Sequence, residues 1–203
     1  MKRAIQSTLL ASLLLTTVAT TALVSSLIAT PVQAANYKVD VEGAHAFVQF
    51  KIKHLGYSWL LGRFNTFDGS FSFDAKSAND SKINIEIDTT SLDSNHAERD
   101  KHLKGKDFLN VSSFPKATFV SKNIEFSDDV NAVVTGELTL KGVTKSISFP
   151  IVKIGEGQDP WGGYRVGFSG TTTFKLTDFD ITYNLGPTST HVEMGLFIEG
   201  IRL

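Results

Sequence analysis

The chain has 203 residues, 20 Lys and Arg against 21 Asp and Glu for a formal net charge of −1, 15 Phe, 16 Gly and no Cys. That length suits one domain or at most two. Nucleic acid is disfavoured as a partner because phosphate neutralisation draws on surplus Lys and Arg, and without Cys there is no disulfide scaffold, thiol catalysis, Fe–S cluster or Cys-based zinc site.

The first element is an address. Lys2 and Arg3 precede an apolar run from Ala4 to Ala29, followed by Pro31-Val32-Gln33-Ala34. A basic start, an apolar middle and a small-residue end make a secretory signal peptide over residues 1–34, cleaved after Ala34. This directs residues 35–203 to the periplasm with no stable membrane insertion after cleavage. The run is also long enough to span a bilayer, but its Ser and Thr and the helix-breaking Pro31 favour cleavage. The remaining 169 residues carry 18 basic and 21 acidic side chains, for a net charge of −3. That balance weighs against electrostatic docking on anionic membranes.

The rest of the chain reads as strands. Ala46, Val48, Phe50 and Ile52 alternate with polar neighbours, as do Phe71 and Phe73, then Ile83, Ile85 and Ile87. The charged stretch Asn95–Lys104 has helical spacing instead, and Gly105 is placed to stop it. Alternation returns in Val134-Gly136-Leu138-Leu140, Val143-Ile147-Phe149-Ile151, Val166-Phe168-Gly170-Thr172-Phe174 and Val192-Met194-Leu196-Ile198. Turn residues such as Asp68-Gly69, Lys141-Gly142 and Asp159-Pro160-Trp161-Gly162-Gly163 punctuate these runs. The fold class is all-β, with about eight antiparallel strands that must close into a barrel or stack as a sandwich. A closed barrel of that size holds packed side chains or one small ligand. The inward Phe residues and the strand glycines Gly136, Gly170, Gly195 and Gly200 suit either interior.

Chemistry-bearing residues are few. The histidines are His45, His54, His96, His102 and His191, and none forms a close ligand pair. A metal-dependent or redox site would have to assemble His45, His54 and His96 across the fold. The dense stretch His96–Leu103 is either a solvated helical turn with pairs such as Glu98 with His102, or the mouth of a cavity where Arg99 and the histidines meet an anionic head group. There is no nucleophile elbow, phosphate loop or dinucleotide fingerprint, so neither an enzymatic activity nor a cofactor is expected.

Several spaced blocks occur in one order: His45-Ala-Phe47-Val-Gln-Phe50, His54-Leu55-Gly56, Gly62-Arg63-Phe64, Phe67-Asp68-Gly69 and Thr90-Ser91-Leu92. After them come Asn95–Leu103, Asp107-Phe108-Leu109, Phe114-Pro115-Lys-Ala-Thr118-Phe119, Gly136-Glu-Leu138-Thr139-Leu140 and Gly142-Val143-Thr144-Lys145. In these the chain from about Tyr37 to Ile201 resembles the YceI-like family of periplasmic or secreted lipocalin-like barrels associated with polyisoprenoid binding. Tyr57-Ser58-Trp59-Leu60 and Asp159–Gly163 look most like enterobacterial members. One block departs: many relatives carry Arg-Ser-Asp-Phe-Gly where Leu176-Thr177-Asp178-Phe179-Asp180 stands here.

The resemblance implies an eight-stranded antiparallel lipocalin-like barrel with a short helical segment near residues 95–104. Its apolar interior would hold a long isoprenoid lipid such as a polyprenyl phosphate or a quinone-like tail. Phe47, Phe50, Trp59, Phe108 and Phe119 would line the tail, with His96, Arg99 and His102 near the head group. A binding or carrier role follows, and a homodimer is a fair expectation. The rival readings are a stress-related metal-dependent or redox enzyme, and an interaction protein whose barrel is packed solid.

Overall fold

The structure, a computed structural model, describes residues 34–203. The predicted signal segment therefore lies outside the described residues, apart from its last residue.

Eleven strand segments form one continuous antiparallel sheet that closes on itself. In chain order they are β1 (Ala35–Val39), β2 (Phe47–His54), β3 (Ser58–Phe64), β4 (Phe67–Phe73), β5 (Lys82–Asp88), β6 (Leu92–Asp93), β7 (Lys116–Phe126), β8 (Asn131–Leu140), β9 (Val143–Gln158), β10 (Tyr164–Lys175) and β11 (His191–Arg202). Six of these segments are halves of three interrupted strands. β1 pairs with β4 and β2 with β3, while both β1 and β2 pair with β11. β4 pairs with β5 and β3 with β6. The result is eight staves, three of them kinked, in an up-and-down meander whose first and last members join. Eight predicted strands and eleven observed segments are thus the same barrel. Closure through β1 and β11 leaves only the two-residue β6 with a single partner strand, so little sheet edge offers unpaired backbone groups.

The period-two pattern sets which side chains face inward. Val48 and Phe50 are buried on β2, Ile85 and Ile87 on β5, Val134 and Leu140 on β8, and Phe149 and Ile151 on β9. On β7 the register shifts between Ser121 and Asn123, so the inward phase passes from Phe119 to Ile124. One extra residue in a strand does this, because alternation restarts one position later.

One helix, α1 (Ala97–Lys104), lies between β6 and β7, with His96 as its N-cap and Gly105 as its C-cap. The His96 Nδ1 accepts a hydrogen bond from the Arg99 backbone N–H at 3.2 Å, satisfying one of the free donors of the first turn. None of its residues is buried; it holds its place at the barrel end through Ser94, as described below.

The other half of the barrel is tied from outside. Arg165 on β10 bonds the carboxylates of Asp40, Asp159 and Glu199 at 2.5, 2.7 and 2.7 Å, joining the kink between β1 and β2 to β10 and β11. Asp40 also meets His45 Nδ1 at 2.9 Å.

Candidate ligand-binding cavity

The interior is open. An apolar cavity of about 730 Å³ runs inside the barrel, walled by side chains from every stave. Close-packed protein interiors hold few voids larger than a water molecule, whereas binding cavities span roughly 300–1,000 Å³. The solid-core reading is corrected on this point.

Two features keep the space clear. The Phe50 ring lies against Gly62 so closely that a β-carbon there would collide with it. A β-carbon at Gly136 would stand 2.5 Å from Phe119 Cζ and 2.6 Å from the Val120 carbonyl oxygen. Large rings thus fold flat onto glycine backbone on the wall instead of filling the centre.

The cavity opens at one end. Its exposed lining residues are Lys53, His54 and Leu55 at the β2–β3 tip, His102 on α1, and Asn184 in the loop before β11. At the opposite end an aromatic cluster forms the floor: Tyr37 stacks on Phe71 at 5.0 Å, and Phe168 packs edge-on to Phe71 at 5.8 Å and Phe73 at 5.4 Å. Ser81 also lies on the wall, buried, and its hydroxyl has no hydrogen-bond partner among the described residues.

At the mouth, Arg99 is held rigidly. Its Nε donates to Ser94 Oγ at 2.8 Å and its Nη2 to the Ser94 carbonyl at 2.5 Å. Asp100 fixes the same serine by accepting from its backbone N–H at 2.8 Å and from its hydroxyl. The Arg99 guanidinium has no carboxylate within 4.0 Å among the described residues, so its charge is available to an anion. Beside it, the His102 ring meets Phe108 at 4.9 Å and Tyr183 at 5.0 Å, both edge-on. No Asp or Glu lines the cavity.

The structure therefore sorts the predicted site residues. Phe50, Arg99, His102, Phe108 and Phe119 line the cavity; Phe47, Trp59 and His96 do not. Phe47 is 39% exposed and sits opposite Phe197 on the outer face. It is one residue out of phase with Val48 and Phe50, and a single step along a strand reverses the face. Trp59 is out of phase with the lining residues Leu60 and Phe64 in the same way; it lies outside under the ammonium groups of Lys51 and Lys53. His96 caps α1. Strand phase read one residue at a time would have excluded Phe47 and Trp59. The loop 181–189, which adds Ile181, Asn184, Leu185, Gly186 and Ser189 to the wall, has no periodicity to reveal it.

The three-histidine metal site is also corrected. His45 stands two residues before β2 and His54 at its far end, roughly 30 Å of chain apart at about 3.3 Å per residue, and His96 is engaged in its cap. Among the described residues, Asp40, His45 and Glu199 do bring ligand atoms within 4.8 Å of one another. The Arg165 guanidinium already occupies that charge, bonding both carboxylates. At the departing block, Leu176 lines the mouth, and Asp180 takes a left-handed backbone with φ of 57°, a conformation that glycine adopts most readily. Arg99 is the one arginine on the wall.

The model of the YceI-like domain matches residues 37–199. The chain belongs to the YceI-like family. A UPF0312 protein of Shewanella oneidensis is 56% identical over 171 residues, covering 84% of this chain and 90% of that one. A UPF0312 protein of Pseudomonas aeruginosa is 58% identical over 169 residues, covering 83% and 88%. Neither is enterobacterial, which was the expectation from Tyr57–Leu60 and Asp159–Gly163. Among solved structures, Burkholderia cenocepacia BcnA superposes with a TM-score of 0.71 at 25% identity, covering 79% of this chain and 98% of that one. A polyisoprenoid binding domain from Saccharophagus degradans gives a TM-score of 0.62 at 16% identity over 84% and 99%, a likeness of fold. The YceI-like, all-β barrel expectation holds.

Proposed function

We propose that this member of the family is a periplasmic binding or carrier protein for a long isoprenoid lipid, exported by residues 1–34 and cleaved after Ala34. The observation that carries the reading is an apolar cavity closed by aromatics at one end, with an unpaired arginine fixed at the other. A hydrocarbon tail gains about 0.8 kcal/mol per buried CH₂, so several isoprene units bind firmly without a covalent link. A phosphate or a quinone-type carbonyl at the mouth would accept from Arg99, with His102 beside it. The name of the Saccharophagus domain is consistent with this ligand class. The ionisable groups on the lining, Lys53, His54, Arg99 and His102, all stand at the mouth, so the apolar interior that would hold the tail offers no acid or base, which supports holding over chemistry.

The test is mass spectrometry of protein extracted without detergent, with N-terminal sequencing of the same sample. A lipid series spaced by one isoprene unit, on a chain beginning at Ala35, is the expected result. A reproducibly empty barrel that also refuses polyprenyl phosphate and quinone would overturn the ligand reading. A chain retaining its first 34 residues would overturn the export reading.

A further inference from the structure

We infer that the open end of the barrel docks on the surface of an anionic phospholipid bilayer, with the β2–β3 tip as the inserting element. The inference rests on the cavity being a lipid site and adds the surface from which it is filled. Three independent features meet at this end.

The first is a strained turn that displays an apolar side chain. Leu55 and Gly56 are the central residues of the tight turn in the three-residue connection between β2 and β3, with φ of 52° and 85°, closed by the Tyr57 N–H bonding the His54 carbonyl at 2.9 Å. Such turns favour Asn-Gly, because positive φ is costly for a bulky residue. Here Leu stands in the unfavourable position with its side chain 55% exposed, at the rim of the cavity. Strain of this kind at an exposed position points to a role for the side chain.

The second is the outer face that follows. Tyr57, Trp59 and Leu61 are 88%, 48% and 61% exposed. The ammonium groups of Lys51 and Lys53 lie 4.8 and 5.8 Å from the centroid of the Trp59 ring. Aromatic side chains flanked by lysines suit the headgroup layer of a bilayer, where the rings sit between apolar and wet regions.

The third is the charge distribution. Segments 51–61, 88–116, 139–146 and 173–193 make up the open end and carry ten Lys and Arg against eight Asp and Glu; the rest of residues 35–203 carries eight against thirteen. Lys53, Lys101, Lys104, Lys106, Lys145 and Lys175, all at the open end, have no carboxylate oxygen within 4.0 Å among the described residues. The net charge of −3 is therefore an average over a polarised barrel. An anionic surface attracts the mouth and repels the floor, which sets the orientation needed for a lipid to pass directly between bilayer and cavity.

The test is co-sedimentation of the purified protein with phosphatidylcholine vesicles, with and without phosphatidylglycerol. The expected result is binding to the anionic vesicles that weakens as salt rises, with the open end protected. The double variant Tyr57→Ser/Leu61→Ser replaces no lining residue and should lose about tenfold or more in vesicle affinity, while its thermal unfolding and its uptake of polyprenyl phosphate from detergent stay unchanged. Equal or absent binding to both vesicle types, or a double variant that binds like the parent, overturns the docking. If the protein takes up detergent-delivered lipid and still ignores vesicles, the docking fails and the carrier reading stands. If it binds anionic vesicles through the tip and takes up no isoprenoid, the docking stands and the carrier reading fails.

Discussion

Replacing Leu196 by Trp asks directly whether the barrel is hollow. Leu196 is only half-buried although it faces inward, with Gly170 across β10 and Val48 across β2 on the same face. Its exposed area looks into the cavity of about 730 Å³. In a full core a larger ring forces neighbours off their rotamers and costs about 1–3 kcal/mol, which in a domain of this size lowers Tm by roughly 2–12 °C. In the open barrel the indole enters empty apolar space, so Tm should stay within about 2 °C of the parent. Binding should suffer instead. If the ring takes the place of three or four methylenes at about 0.8 kcal/mol each, the loss is about 2.4–3.2 kcal/mol, or roughly 50- to 200-fold in Kd. Differential scanning calorimetry and titration of delipidated protein with polyprenyl phosphate measure the two quantities. A fall in Tm of more than about 6 °C with unchanged affinity would refute the reasoning.

Four further outcomes follow from the same structure. Arg99→Gln should weaken a polyprenyl phosphate by about 10- to 150-fold, the loss of one charge-assisted hydrogen bond, and leave the matching polyprenol nearly unaffected; equal losses for both ligands would remove Arg99 from the head-group site. Gly136→Ala should push the Phe119 ring into the cavity and cost about 1–3 kcal/mol by urea unfolding, because the β-carbon also meets the Val120 carbonyl. Ser81→Ala should raise the Tm of the empty protein by about 2–4 °C, since a buried hydroxyl without a partner costs about 1 kcal/mol or more. Asp40 is held down from its ordinary 3.8 to about 2, first by the His45 hydrogen bond and then by Arg165, against the opposing effect of burial. Its folded-state pKa is depressed, so its contribution of roughly 2 kcal/mol is present above pH 4 and is lost as pH falls towards 2. Unfolding free energies of Asp40→Asn measured from pH 7 to 2 should lack that component.

The sequence by itself settled the inward faces. Ile83-Ile85-Ile87 and Val192-Met194-Leu196-Ile198 alternate so regularly that only one side of each strand can face the interior, because the side-chain period is two. It also marked the short helix, since the charged run Asn95–Lys104 has helical spacing and Gly105 stands where that run ends. The site was legible only in part. Phe50, Phe108, Phe119, Arg99 and His102 reach the cavity, whereas Phe47 and Trp59 belong to the opposite phase, and attraction to aromatic residues as a class obscured that. Three things needed the tertiary structure. Whether the barrel is hollow depends on rings folding onto glycines of a neighbouring strand, as Phe119 does on Gly136, and such contacts join residues far apart in the chain. The charge polarity is invisible in a total of −3 because the meander gathers alternate strand ends into one rim. The availability of Arg99 depends on Ser94 and Asp100 engaging one another and holding its guanidinium at the mouth without a carboxylate partner. Periodicity is local and survives in the sequence; enclosure, polarity and pairing are sums over distant segments, and only the closed barrel performs the sum.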